Sequence, residues 1–166
     1  MRLVEGVAEV DDVGAFVARI GDIAEESGTT VQVFDARYVV SRRHLERAVE
    51  LADRAIDRGE NAARDRAVEI LCYAAGRRQI DQALTLGVEE GRTPVVALVD
   101  GGDEDGDEAA AEAALVDLLD PTETLGEYDE ALTRRYFGVD DAELEVTAGT
   151  LEDLVLERVA LLDVEK

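Results

Sequence analysis

Lysine is almost missing from this chain. Of its 17 basic residues 16 are arginine, and the single lysine is Lys166. Histidine and cysteine occur once each, as His44 and Cys72, and there is no tryptophan. One cysteine excludes an internal disulfide and agrees with a reducing compartment. One histidine and one cysteine, far apart in sequence, are a thin basis for a nucleophile and its base. Nothing has the spacing of a zinc site, a phosphate-binding P-loop or a dinucleotide-binding glycine fingerprint. The loop Gly101–Gly106 resembles a calcium loop only superficially. With Gly106 at the turn glycine, the first ligand position falls on Gly101, which has no side-chain oxygen, so the loop reads as a solvated acidic turn. No apolar run reaches the roughly 18 residues of a membrane span. Met1-Arg2-Leu3-Val4-Glu5 lacks the basic-then-apolar layout of a signal peptide, so the expected location is the cytoplasm. These gaps lead us to expect no enzyme, no cofactor, no metal and no small-molecule substrate.

What is present is acid. Forty Asp and Glu residues give a formal net charge of −23. Paired carboxylates are so common here that their proximity says nothing about glycosidase-type chemistry. Acid-rich, lysine-poor composition suits molar salt, where the Debye length falls to about 3 Å and self-repulsion is screened. It reads as a halophilic archaeal protein; an acidic protein of a GC-rich mesophile is the alternative. The charge is uneven. Residues 1–36 carry −6 and residues 79–166 carry −20, but residues 37–78 hold ten arginines against seven acids, or +3. That window is where an anionic partner would dock, unless its arginines pair with neighbouring carboxylates along helices, as Glu50 and Arg54 are spaced to do.

Hydrophobic periodicity supports a single domain over 1–166 of α/β class, with a small mixed sheet of three or four strands surrounded by helices. Strands are expected at Arg2–Val10, Thr29–Asp35 and Thr93–Val99. Helices are expected from Asp11 or Asp12 to Gly28, from Ser41 to Gly59, over Asn61–Ala75 with Gly76 as cap, and from about Gln79 to Leu86. Further helices are expected over Glu108–Leu119, Asp129–Phe137 and Asp140–Val146, and from Thr150 onward, where Thr150-Leu151-Glu152-Asp153 has a capping-box pattern. Val68–Tyr73 could instead be a strand. In the last helix Leu151, Leu154, Val155, Val159 and Leu162 form one stripe. Leu156 and Leu161 fall off it, a surplus that means burial on several sides or a protein partner.

One stretch carries a resemblance: Arg58-Gly59-Glu60-Asn61-Ala62-Ala63-Arg64, then Val68-Glu69-Ile70-Leu71-Cys72-Tyr73-Ala74-Ala75-Gly76-Arg77-Arg78-Gln79-Ile80. It resembles the signature of the small subunit of the KEOPS complex, the TPRKB (kinase-binding protein) family, here of haloarchaeal type. Val33–Arg37 with His44, Leu45 and Ala48, and the tail Leu151–Val164, are similar to the same family. The resemblance implies a non-catalytic subunit for threonylcarbamoyladenosine modification of tRNA. Such a subunit binds the kinase-like ATPase of the complex and recruits tRNA through its 3′ CCA end. A single-stranded end is held by arginine and by surfaces on which bases stack. In molar salt, where phosphate contacts weaken steeply, stacking, apolar contact and bidentate arginine bonds must carry more of the binding. The residues expected to form the tRNA surface are Asn61, Arg64, Tyr73, Gly76, Arg78, Gln79 and Ile80. Those expected at the kinase are Leu156, Leu161 and Leu162. The alternative is an acidic protein–protein adaptor without a nucleic-acid role.

Overall fold

The structure is a computed structural model that describes residues 1–102, 106–146 and 149–164. In chain order the elements are β1 (Arg2–Val10), α1 (Val13–Ser27), β2 (Thr30–Asp35), α2 (Arg42–Asp57), α3 (Arg66–Ala75), α4 (Ile80–Ala83), β3 (Gly91–Asp100), α5 (Glu108–Leu118), β4 (Asp120–Pro121), α6 (Glu130–Phe137), α7 (Asp141–Val146) and α8 (Leu151–Val164). Short 3-10 turns cover Ala36–Tyr38 and Leu84–Leu86. The α/β class and the small sheet agree with the sequence. Residues 103–105 of the acidic loop at Gly101–Gly106 lie outside the described residues. No described helix is long and apolar enough to cross a membrane.

The chain divides into two compact units, each made from two segments. The first is Met1–Ala36 with Gly87–Thr124, and the second is Arg37–Leu86 with Leu125–Lys166. The first unit holds the sheet, in the order β2-β3-β1-β4. All its ladders are antiparallel, where strands of mixed direction were expected. The crossover through α1 does make β1 and β2 run the same way, but β3 inserts between them and pairs with both. Alternate side chains fill one face: Val4, Ala8 and Val10 from β1, Val31 and Val33 from β2, and Val95, Ala97 and Val99 from β3. Val4, Ala97 and Val33 stand in one row across three strands. Ile20 and Ile23 of α1 and Ala111 and Leu115 of α5 cover that face. Gly6 is the strand glycine that β4 requires: a Cβ there would stand 2.8 Å from the Asp120 carbonyl oxygen.

The second unit is helical. Ser41 caps α2 by accepting the His44 N–H, and α2 ends at Arg58, with Gly59 at φ 70°. Asp65 caps α3, and Gly76 closes it at φ 64°. Asp53, near the end of α2, takes a two-pronged bond from Arg66 in the first turn of α3, at 2.7 and 2.9 Å. At the other end His44 reaches Ala74, so the two helices run antiparallel. All of Glu69–Ala75 is buried. A helix apolar on every side is a core helix, and the ambiguous run Val68–Tyr73 is therefore helix, not strand. α8 packs on α2 and α3 through Leu151, Leu154, Val155, Val159 and Leu162, the stripe its spacing predicts. The Thr150 pattern is a working capping box: the Asp153 carboxylate accepts the Thr150 N–H at 3.0 Å, and the Thr150 hydroxyl accepts the Asp153 N–H at 3.4 Å.

Candidate binding surfaces

The residues expected to bind tRNA fall at the two ends of α3, not on one face. Before its N-terminus lie Asn61 and Arg64. The Asn61 amide donates to the Ala63 carbonyl at 2.7 Å, which folds the loop on itself. The buried Glu69 carboxylate completes it, accepting the N–H groups of Ala62 and Ala63, both at 3.0 Å. Arg64 stands exposed beside this knot. The helix expected from Asn61 begins only at Arg66, where the Asp65 side chain caps it, and residues 61–64 form a loop held by Asn61 and Glu69.

Past the C-terminus of α3 lie Gly76, Arg78, Gln79 and Ile80. Gly76 is required twice over: its backbone is left-handed, and a Cβ would come within 3.3 Å of the Arg158 carbonyl oxygen on α8. Arg77 turns inward. Its guanidinium lies over the Tyr136 ring, 4.7 Å from the centroid, and donates to the Tyr136 carbonyl at 2.5 Å. Tyr136 in turn donates its hydroxyl to the Gln82 carbonyl at 2.8 Å. Arg78 and Gln79 point out. Ile80 is 42% exposed and Leu84, one turn on, 56%. Leu84 and Tyr136 did not stand out in the sequence: one opens the short 3-10 turn Leu84–Leu86, the other lies 59 residues away from Arg77.

Between these two ends about 15 Å of buried helix intervenes. Tyr73, expected to offer a stacking face, lies inside it, 1% exposed, with its hydroxyl donating to Asp163 at 3.2 Å. This corrects the expectation for Tyr73: its ring is core, because α3 is buried all round and has no wet side.

Of the ten arginines of the positive window, Arg42, Arg47, Arg54 and Arg66 pair with carboxylates. Arg77 is held by Tyr136, and Arg37 has partners too. Arg43, Arg58, Arg64 and Arg78 have no ion pair among the described residues. Helical pairing thus explains part of the charge and leaves these four.

On α8, Leu161 is 39% exposed and Leu156 is half-buried. Leu162 is 6% exposed and belongs to the buried stripe, so it is corrected to a core residue. Val164, one turn beyond Leu161, is the most exposed apolar residue of that helix.

Neither His44 nor Cys72 is arranged for chemistry. His44 is fully buried between two backbone groups: Nδ1 accepts the Val40 N–H at 3.3 Å, and Nε2 donates to the Ala74 carbonyl at 2.8 Å. Burial lowers its pKa to about 4. Burial, helped by Glu69, pushes the Cys72 thiol up to about 11, away from its reactive thiolate. Among the described residues no group of three or more His, Cys, Asp or Glu side chains could hold a metal ion.

A family model described as kinase binding protein CGI-121 matches residues 9–163. No curated protein matches the chain.

Proposed function

Because the chain belongs to the CGI-121 family of kinase-binding proteins, we propose that it is the small, non-catalytic subunit of a KEOPS complex in a halophilic archaeon. It works in the cytoplasm as one domain over residues 1–166, in threonylcarbamoyladenosine modification of tRNA. It binds the kinase-like ATPase of the complex and recruits tRNA by its 3′ CCA end. The observation that carries the tRNA role is the Gly76 end of α3. There Arg78 is left without an ion pair among the described residues, in a chain of 40 acids, next to Gln79 and two exposed aliphatic side chains, Ile80 and Leu84. Guanidinium, amide and apolar surface together suit a single-stranded end at high salt better than a field of positive charge would.

The test is binding to matched tRNAs with and without the terminal CCA in about 2 M KCl, where long-range attraction is screened out. Affinity for the CCA-bearing tRNA should be greater by about tenfold or more, or about 1.4 kcal/mol. Binding to neither would leave an acidic kinase adaptor without a nucleic-acid role, and equal binding to both would mean that tRNA is held elsewhere than at its CCA end.

The kinase contact is proposed at the exposed part of α8, on Leu161 with Leu156 beside it. Leu161→Glu places a charge on that surface and should abolish pull-down of the kinase while the unfolding free energy stays within about 0.5 kcal/mol of wild type. Retained pull-down would move the interface off α8.

A further inference from the structure

Six arginines are exposed and have no side-chain partner among the described residues: Arg19, Arg43, Arg58, Arg64, Arg78 and Arg135. A guanidinium close to a carboxylate pairs with it, as Arg134 does with Asp141 and Arg158 with Glu143. In so acidic a chain, arginines left unpaired are the ones available to an outside anion.

Those of the helical unit sort by the two ends of α3. Arg58 and Arg64 lie before its N-terminus, in a stretch that also holds Asp57, Glu60 and Asp65. Arg78 lies past its C-terminus, and no acid occurs between Gly76 and Ile80. Arg43 and Arg135 come to this second end through their chain neighbours. His44, next to Arg43, bonds the Ala74 carbonyl at 2.8 Å, and its ring meets Phe137 at 5.9 Å. Tyr136, next to Arg135, carries the Arg77 guanidinium on its ring and holds Gln82. Three segments, separated by 35 and 57 positions, are thus tied into one buried knot from which Arg43, Arg78 and Arg135 reach solvent.

Resting on the tRNA-recruiting function proposed above, we infer that the surface for the tRNA end lies at the Gly76 end of α3 only. Arg43 of α2 and Arg135 of α6 belong to it, as ligands for the phosphates that lead into the CCA nucleotides. Arg58 and Arg64 do not. Bases rest against Ile80 and Leu84 beside Arg78, and the two outer arginines hold the backbone on either side.

The test measures R43E, R135E, R58E, R64E and R19E against tRNA with and without CCA in about 2 M KCl. R19E, in the other unit, supplies the same change in net charge. R43E and R135E should each lower affinity for CCA-bearing tRNA by about tenfold or more, the scale of a lost charged hydrogen bond. R58E, R64E and R19E should stay within about twofold of wild type. R43Q and R135Q should follow the same order, and kinase pull-down by every variant reports an intact fold. The inference is overturned if R43E and R135E behave like R19E, or if R58E and R64E lose as much as they do. A wild-type protein that does not prefer the CCA-bearing tRNA overturns the recruiting function itself, and this inference with it.

Discussion

Replacing His44 with alanine should destabilise the protein by about 4 kcal/mol, the scale of a core cavity plus two unpaired backbone groups. The argument starts at the C-terminus of α3, whose last carbonyls have no partner within the helix. The Cys72 and Tyr73 carbonyls accept the N–H groups of Arg77 and Gly76, both at 3.0 Å. The Ala74 carbonyl, also buried, is met by the imidazole of His44. The other ring nitrogen accepts the Val40 N–H. One neighbour is an acceptor and the other a donor, so the ring fits as the neutral tautomer with its proton on Nε2. A second proton, on Nδ1, would face the Val40 N–H. Loss of water around the charge holds the pKa near 4, against 6.5 in the open chain, although the Ala74 carbonyl and the Glu152 carboxylate pull the other way. The unfolded chain therefore takes up the proton first. The stabilisation is complete above about pH 6.5 and is lost as pH falls towards 4, about 3 kcal/mol in all. Urea unfolding in molar KCl should show about 2 kcal/mol of this between pH 7.5 and 5, and His44→Gln should remove that slope. His44→Gln, whose amide can still donate to Ala74, should cost less than His44→Ala. An unchanged pH slope in the glutamine variant would sink this account.

His44 also shows where the sequence was readable and where it stopped. Elements set by local chemistry came through. β1 alternates with period two, Ser41 and Asp12 cap their helices with the bonds their side chains permit, and Gly28, Gly76 and Gly138 end theirs in the left-handed region. The two-residue β4 was missed, since two residues have no period. Asn61–Arg64 looked helical because Ala and Arg favour helix, but Asp65 caps the helix after that stretch, which Asn61 and Glu69 hold as a loop. The surface was harder to read. Arg78, Gln79 and Ile80, past a helix-ending glycine, do lie exposed. Tyr73 was misplaced because an all-apolar helix offers no periodicity that separates wet from dry. Arg43 shared the positive window with nine other arginines and Arg135 lay outside it; the contacts of His44, Arg77 and Tyr136 bring their segments to Arg78.

Glu69→Ala is the second large effect, about 3 kcal/mol, and it should fall on one loop before it falls on the whole protein. The Glu69 side chain is 1% exposed, and its oxygens meet the two amides of Ala62 and Ala63. Ala63 is itself buried, so without the carboxylate its N–H has neither protein nor water to bond. A carboxylate in the first turn of α3 also lies at the positive end of that helix, which favours its charge. Glu69→Gln keeps one acceptor but turns the other into a donor aimed at the same amides, so it should recover only part of the loss. Hydrogen exchange reads the difference directly. The Ala62 and Ala63 amides should lose protection in the alanine variant while the amides of α8 keep theirs. Exchange rising equally everywhere would mean that Glu69 supports the whole fold and not this loop. The two ends of α3 then separate in function as well. Freeing the loop at Arg64 should leave the preference for CCA-bearing tRNA intact at the Gly76 end. If that preference fell with the loop, Arg64 would belong to the tRNA surface after all.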